Sequence, residues 1–212
     1  MFDIVTDMNV ALDLAALGDR VAPLAMAHER TLPVPDALGG LFVEGGLVRG
    51  RTLACRGPAA TSTALALAAP AMASGAWMAV IDVPTIGLDA ACELGIPLER
   101  VVAVGTDGDA ARWSDVVAAA ADGFDILLVR VPADVPSATV RKLTVRLRQR
   151  DVVTIVLGEP GSMAYDGIIE TEASQWSGLG DGHGHLRSRD VAVQASGRRL
   201  PGRRRCRLEL PA

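Results

Sequence analysis

Apolar residues concentrate in short runs at 51–55, 77–81, 101–104, 126–131 and 152–157, about 25 residues apart, with helix-length segments between them. Strands that are apolar on both faces cannot leave one face to water. The pattern therefore predicts an α/β fold with a mostly parallel central β-sheet flanked by helices on each side. Residues 62–73 are apolar almost all the way round, which predicts a helix packed centrally on that sheet. Residues 137–150 are amphipathic: Val140, Leu143 and Leu147 share one face, while Lys142, Arg146 and Arg150 line another at i, i+4 and i+8.

The two ends of the chain follow other rules. Val10, Leu14, Leu17 and Val21 recur at helical spacing behind Asp7, a natural N-cap, so residues 7–28 read as a helix. A stretch broken by prolines and glycines, 32–50, separates it from the rest. The expected organisation is an N-terminal helical appendage over 1–31 and a core domain over 32–212. Beyond residue 157, the glycine-rich segment 176–185 reads as a loop with glycine-enabled turns. Two strand-like runs, 190–195 and 206–210, then flank a turn over 196–205 and read as a terminal β-hairpin finishing the sheet.

With 212 residues, 50% of them hydrophobic and 22% charged, the composition excludes a disordered, collagenous or disulfide-framed chain. Cys55, Cys92 and Cys206 lie far apart without a C-x-x-C spacing, and His183 and His185 find no third ligand at a sensible distance, so no metal is expected. No basic n-region precedes an apolar core at the N-terminus, and no apolar run reaches the roughly 18 residues of a membrane span. The expectation is a cytoplasmic protein without membrane contact.

Charge sharpens the picture. Lysine and arginine total 21, yet Lys142 is the single lysine. Residues 1–140 carry 8 basic and 17 acidic side chains, whereas 141–212 carry 13 and 8, so the last third is the basic part. An anionic partner, either nucleic acid or an acidic protein surface, is one implication; a solvated arginine-rich face is the other.

The junction at 51–64 occupies the place of a phosphate loop, after the first core strand and opening a helix. A working loop reads G-x-x-x-x-G-K-[S/T], in which backbone amides curl round the phosphates, lysine neutralises them and a hydroxyl holds magnesium. Only Gly57 and a hydroxyl from Thr61 or Thr63 survive here. The lysine position is Ser62 or Thr63, and because Lys142 lies elsewhere no realignment restores it. The strand 126–129, which should close on a magnesium-organising acid, closes on Arg130, and a guanidinium cannot hold a divalent metal.

With these pieces in place, residues 32–157 resemble the ATPase core of RecA-type recombinases. The resemblance is carried by G-G-L-V-R-G-R (45–51), G-P-A-A-T-S-T-A-L-A-L (57–67), A-V-I-D-V-P-T-I-G-L-D (79–89), E-L-G-I-P-L-E-R-V-V-A-V (93–104), F-D-I-L-L-V-R (124–130) and V-R-K-L-T-V-R-L-R-Q-R-D-V-V-T-I-V-L-G (140–158). In that family a glutamate after the second core strand activates water, and the matching position is Pro84. Loss of lysine, strand-end acid and general base together would remove transition-state electrostatics, metal and water activation at once, so the resemblance implies no ATP hydrolysis, no cofactor and no catalytic residue.

The segments W-S-G-L-G-D-G-H-G-H-L-R (176–187) and V-A-V-Q-A-S-G-R-R (191–199) are similar to those of the actinobacterial branch of ImuA-type mutagenesis accessory proteins. That resemblance implies a non-catalytic scaffold in damage-induced translesion DNA synthesis, partnered by an ImuB-type Y-family polymerase homologue and recruited to the nucleoid. It also implies contact with RecA, or self-association, through residues 7–28. Two other readings stay open: an SOS cell-division inhibitor resembling SulA, and a weak ATPase completed in trans by RecA.

Segments 132–137 and 159–167 match the DNA-facing loops of such cores, yet hold Asp134, Glu159 and Asp166 with no arginine. Aromatic residues make up 3% of the chain, so stacking platforms for single strands are scarce. Weak or no direct DNA binding follows. The partner-binding candidates are the helix cations Lys142, Arg146 and Arg150, together with Trp176 and the cluster Arg198, Arg199, Arg203, Arg204, Arg205 and Arg207; arginine forks suit protein interfaces. For the cluster, nonspecific DNA contact and plain solvation are the alternatives.

Overall fold

The computed structural model describes residues 30–180 and 183–211. The helix expected over 7–28 lies outside the described residues. Two-residue strands β1 (Thr31–Leu32) and β2 (Leu47–Val48) pair antiparallel around a one-turn helix, α1 (Asp36–Gly39). Prolines and glycines in 32–50 thus allow regular structure, though only in these short pieces.

The main sheet is built from β3 (Thr52–Arg56), β4 (Met78–Ile81), β5 (Val101–Val104), β6 (Ile126–Val129), β7 (Val153–Leu157), β8 (Gly167–Gly180), β9 (His183–Gly197) and β10 (Leu200–Pro211). Its order is β10-β9-β8-β3-β7-β6-β4-β5. The six strands from β8 to β5 run parallel, and the pairs β8–β9 and β9–β10 are antiparallel. The protein is therefore α/β with a mixed, mostly parallel central sheet flanked by helices, and the five core strands sit within two residues of their apolar runs.

Both faces of β3, β4, β6 and β7 are covered, whereas the edge strand β5 has no buried residue. α2 (Ala60–Ala73) and α3 (Leu88–Glu93) pack on one face; α4 (Ala110–Ala120) and α5 (Ser137–Gln149) pack on the other. Side chains alternate between the two cores: Met78, Val80, Ile126 and Leu128 face α2, while Ala79, Ile81, Leu127 and Val129 face α4 and α5. Each such burial contributes roughly 1.5–3 kcal/mol, and both cores depend on it, which is why these strands tolerate no polar alternation. α2 has nine buried residues because the sheet, α3 and the hairpin strand β9 all contribute to its surroundings. α4 starts at Asp109, whose carboxylate accepts the amides of Ala111 and Arg112 at 2.9 and 3.0 Å.

The glycine-rich segment 176–185 is not a loop. Its described residues continue β8 and β9 as a long antiparallel ribbon, with Trp176 opposite Arg189 and Leu179 opposite Gly184. Gly178 (φ +102°) sits where the register shifts, and a Cβ there would collide with the His185 carbonyl, so glycine permits a bulge rather than a turn. The expected hairpin is also longer than its apolar runs. β9 and β10 leave only Arg198 and Arg199 between them, because exposed arginines such as Arg205 and Arg207 occupy strand positions where polarity carries no burial penalty, and the buried Gln194 is hydrogen-bonded by Arg205. No helix of the described residues is long and apolar enough to cross a membrane.

Candidate functional site

Loops at the carboxyl ends of parallel strands are where an α/β sheet gathers side chains from distant parts of a chain. Here the β3–α2 loop, Arg130 after β6 and Pro84 after β4 come together at that edge. A cavity of about 300 Å3 is lined by Arg56, Gly57, Thr61, Ser62 and Arg130. A second, of about 680 Å3, is lined by Asp82, Pro84, Asp107 and again Arg130. Arg130 thus lines both, exposed and without an ion pair or side-chain hydrogen bond among the described residues.

The β3–α2 loop spends its polar groups on itself. Gly57 adopts φ +103° against Thr171 of β8. The Thr171 hydroxyl accepts the Ala59 amide at 3.1 Å and donates to the Arg56 carbonyl at 3.2 Å. The Ala60 amide bonds to the Gly57 carbonyl at 3.2 Å, and that of Thr63 to Ala59 at 2.9 Å. Three amides of the junction, those of Ala59, Ala60 and Thr63, are thus tied to protein oxygens. Thr61 and Ser62 line the smaller cavity, but Thr63 is fully buried with an unpartnered hydroxyl. Arg56 is engaged by Glu159 at 3.4 Å and Glu170 at 3.3 Å, carboxylates from beyond β7 and from β8. Beneath the loop, burial pushes the Cys55 thiol up to about 12, so it stays protonated and offers no nucleophile at neutral pH. Among the described residues, no group of three or more His, Cys, Asp or Glu side chains converges as a metal site.

The opposite wall of the larger cavity rests on residues the sequence did not single out. Asp82 (φ +53°) accepts the Thr106 amide at 2.6 Å and also accepts the Thr106 hydroxyl. Thr106 is fully buried, so this contact ties the end of β4 to the β5–α4 loop. Asp107 (φ +56°) lies 3.7 Å from Arg112. The only local signal was an Asp after a strand and a T-D-G-D string, since aspartate tolerates the left-handed region better than most residues.

The cationic candidates are dispersed. Arg146 of α5 and Arg150 at its C-terminal cap both pair with Asp122, at 2.5 and 2.9 Å, leaving exposed Lys142 as the one member of that face without a partner among the described residues. Arg205 binds Gln194 at 3.0 Å and Glu172 at 2.9 Å, Arg204 donates to the Gly40 carbonyl at 2.8 Å, and Arg199 lies 3.5 Å from Asp166. Arg198, Arg203 and Arg207 are exposed. Strand alternation puts Arg205 and Arg207 on one face and Arg204 on the other. Trp176 stays 44% exposed, with the Arg189 guanidinium 5.0 Å above its ring.

No curated protein matches the chain. The family described as the MT3502 N-terminal domain matches residues 40–162, a span that takes in β2 through β7, the β3–α2 loop, Pro84 and Arg130. The match covers more than half of the 212 residues, and the chain belongs to the MT3502 N-terminal domain family.

Proposed function

We propose that the protein is a RecA-like scaffold without ATPase chemistry, an accessory factor of damage-induced translesion synthesis that binds an ImuB-type polymerase homologue. The observation that carries the non-catalytic part is the β3–α2 loop, whose Ala59 amide is held by Thr171 while the only lysine sits on α5. Arg130 and Pro84 at the neighbouring strand ends supply neither a metal ligand nor a base. A parallel core with a strand-to-helix loop at that position but no cation in it suits a fold retained for its surfaces. The surface assigned to the partner is the set of exposed hairpin arginines without an ion pair or side-chain hydrogen bond among the described residues, Arg198, Arg203 and Arg207.

Co-expression with the ImuB-type polymerase homologue tests the reading. Retention through affinity purification, reduced about tenfold or more by Arg198→Ala/Arg203→Ala/Arg207→Ala, is the expected result. Filamentous growth on overexpression without retention supports the SulA-like inhibitor instead. Steady hydrolysis of Mg·ATP by the purified chain alone overturns the non-catalytic assignment.

A further inference from the structure

We propose that the 680 Å3 cavity beyond β4, β5 and β6 is a binding site for an apolar carboxylate, held by Arg130 at the rim with its apolar part inside. Its position follows from the crossovers. β4 lies between β5 and β6; the β4–β5 connection runs over the α2 face through α3, and the β5–β6 connection runs over the opposite face through α4. The loops leaving β4 and β5 therefore part to opposite sides of the sheet. A crevice opens between them, the place where open α/β sheets take ligands.

The lining sets the class of ligand. Val83, Pro84, Ile86, Val104, Val131 and Pro132 give an apolar wall, and the volume suits a small molecule or a few residues of peptide. Three charged side chains face it. Asp82 has both carboxylate oxygens occupied by Thr106, and Asp107 lies beside Arg112. Arg130 is the one cation of the three and has no ion pair or side-chain hydrogen bond among the described residues, while the Asp107 side chain is 91% exposed to solvent, so the complement Arg130 lacks is an anion beside the apolar wall. A planar guanidinium meets a carboxylate through two parallel hydrogen bonds. A polyphosphate is less well matched, because the adjoining β3–α2 loop has no lysine and its Ala59, Ala60 and Thr63 amides are already bonded within the protein. Two sources share the chemistry, a free medium-chain acid and the C-terminal residue of a peptide.

The test uses the full chain with the apolar anion anilinonaphthalene sulfonate as fluorescent reporter. Decanoate represents the free acid, and N-acetyl-Val-Leu the chain terminus; decanol and the amide of N-acetyl-Val-Leu are the uncharged counterparts. Saturable reporter fluorescence is expected, with at least one acid displacing it about tenfold better than its counterpart, the scale of one charge-assisted hydrogen bond. The more effective acid identifies the source. Arg130→Gln is expected to abolish that discrimination, whereas Arg207→Gln preserves it. Ala103→Phe, which adds a ring to an exposed strand residue lining the cavity, is expected to lower reporter affinity about tenfold or more. Absent reporter binding, equal displacement by acids and counterparts, unchanged discrimination in Arg130→Gln, or stronger displacement by Mg·ATP than by either acid would each overturn the proposal.

Discussion

Asp166, between β7 and β8, joins three parts of the fold that are remote in sequence, and its removal has a calculable cost. Its Oδ2 accepts the Thr52 amide at 3.1 Å where β3 begins, and its Oδ1 lies 3.3 Å from Arg148 of α5 and 3.5 Å from Arg199 in the β9–β10 turn. Asp166 and Thr52 are 7% and 1% exposed. Asp166→Ala strands a buried backbone donor, at about 1–3 kcal/mol. The two arginine side chains are 49% and 61% exposed, so solvent screening limits each ion pair to about 0.5 kcal/mol. The total is about 2–4 kcal/mol. Asp166→Asn retains an acceptor for Thr52 and gives up the charge interactions alone, for about 1 kcal/mol. In urea, with a slope of about 2–3 kcal/mol/M, the alanine midpoint should fall by about 1 M and the asparagine midpoint by about 0.4 M. Equal losses for the two variants, or a loss under 0.5 kcal/mol for alanine, would refute the assignment of the energy to the buried amide.

Two further outcomes follow from the β3–α2 junction. Gly57→Ala places a methyl group against the Thr171 carbonyl at φ +103°, and should cost about 3 kcal/mol or more, read as a fall in Tm of about 6–12 °C by calorimetry; an unchanged melting curve would show that the loop has room to spare. The Cys55 thiol has an ordinary value of 9.0 when exposed and about 12 in the folded protein. The unfolded state therefore loses its proton first as pH rises, so stability conferred by the protonated thiol is complete below pH 9 and declines between 9 and 12. Cys55→Ala should remove that decline, at most about 1.4 kcal/mol per pH unit, visible as a flatter alkaline arm in urea titrations at pH 8.5 to 10.5. Parallel arms for the two proteins would refute it.

The parallel core was legible because burial on both faces leaves no freedom in the pattern. Ile126-Leu127-Leu128-Val129 supplies two side chains to each core, and no other arrangement of four consecutive apolar residues hides them all in so short an element. The ribbon of β8 and β9 was misread for the opposite reason. Gly178, Gly180 and Gly184 carry the composition of turns, yet the described strand ends are paired across the ladder, where a glycine costs entropy without preventing hydrogen bonds. The arginine cluster looked continuous because adjacent numbers suggest adjacent side chains. In a strand, neighbours point to opposite faces, and partners such as Glu172 and Gln194 come from other strands.

A missing reactant and an existing cavity leave different traces in a sequence. The absence of a phosphate-loop lysine is settled by counting, since one Lys142 on α5 cannot serve a loop at the end of β3. A cavity has no such marker. The crevice beyond β4 exists because successive crossovers fall on opposite faces of the sheet, and its wall is fixed by Asp82 and Thr106, 24 residues apart. Neither the side taken by a crossover nor the partner of an aspartate is encoded in a local period. Arg130 shows how the two kinds of information meet. At the end of its strand it is a cation at the position where the resemblance to RecA-type cores calls for an acid. Lining two cavities with no ion pair or side-chain hydrogen bond among the described residues, the same guanidinium that is a poor ligand for a divalent metal is the cation on which the proposed carboxylate site depends.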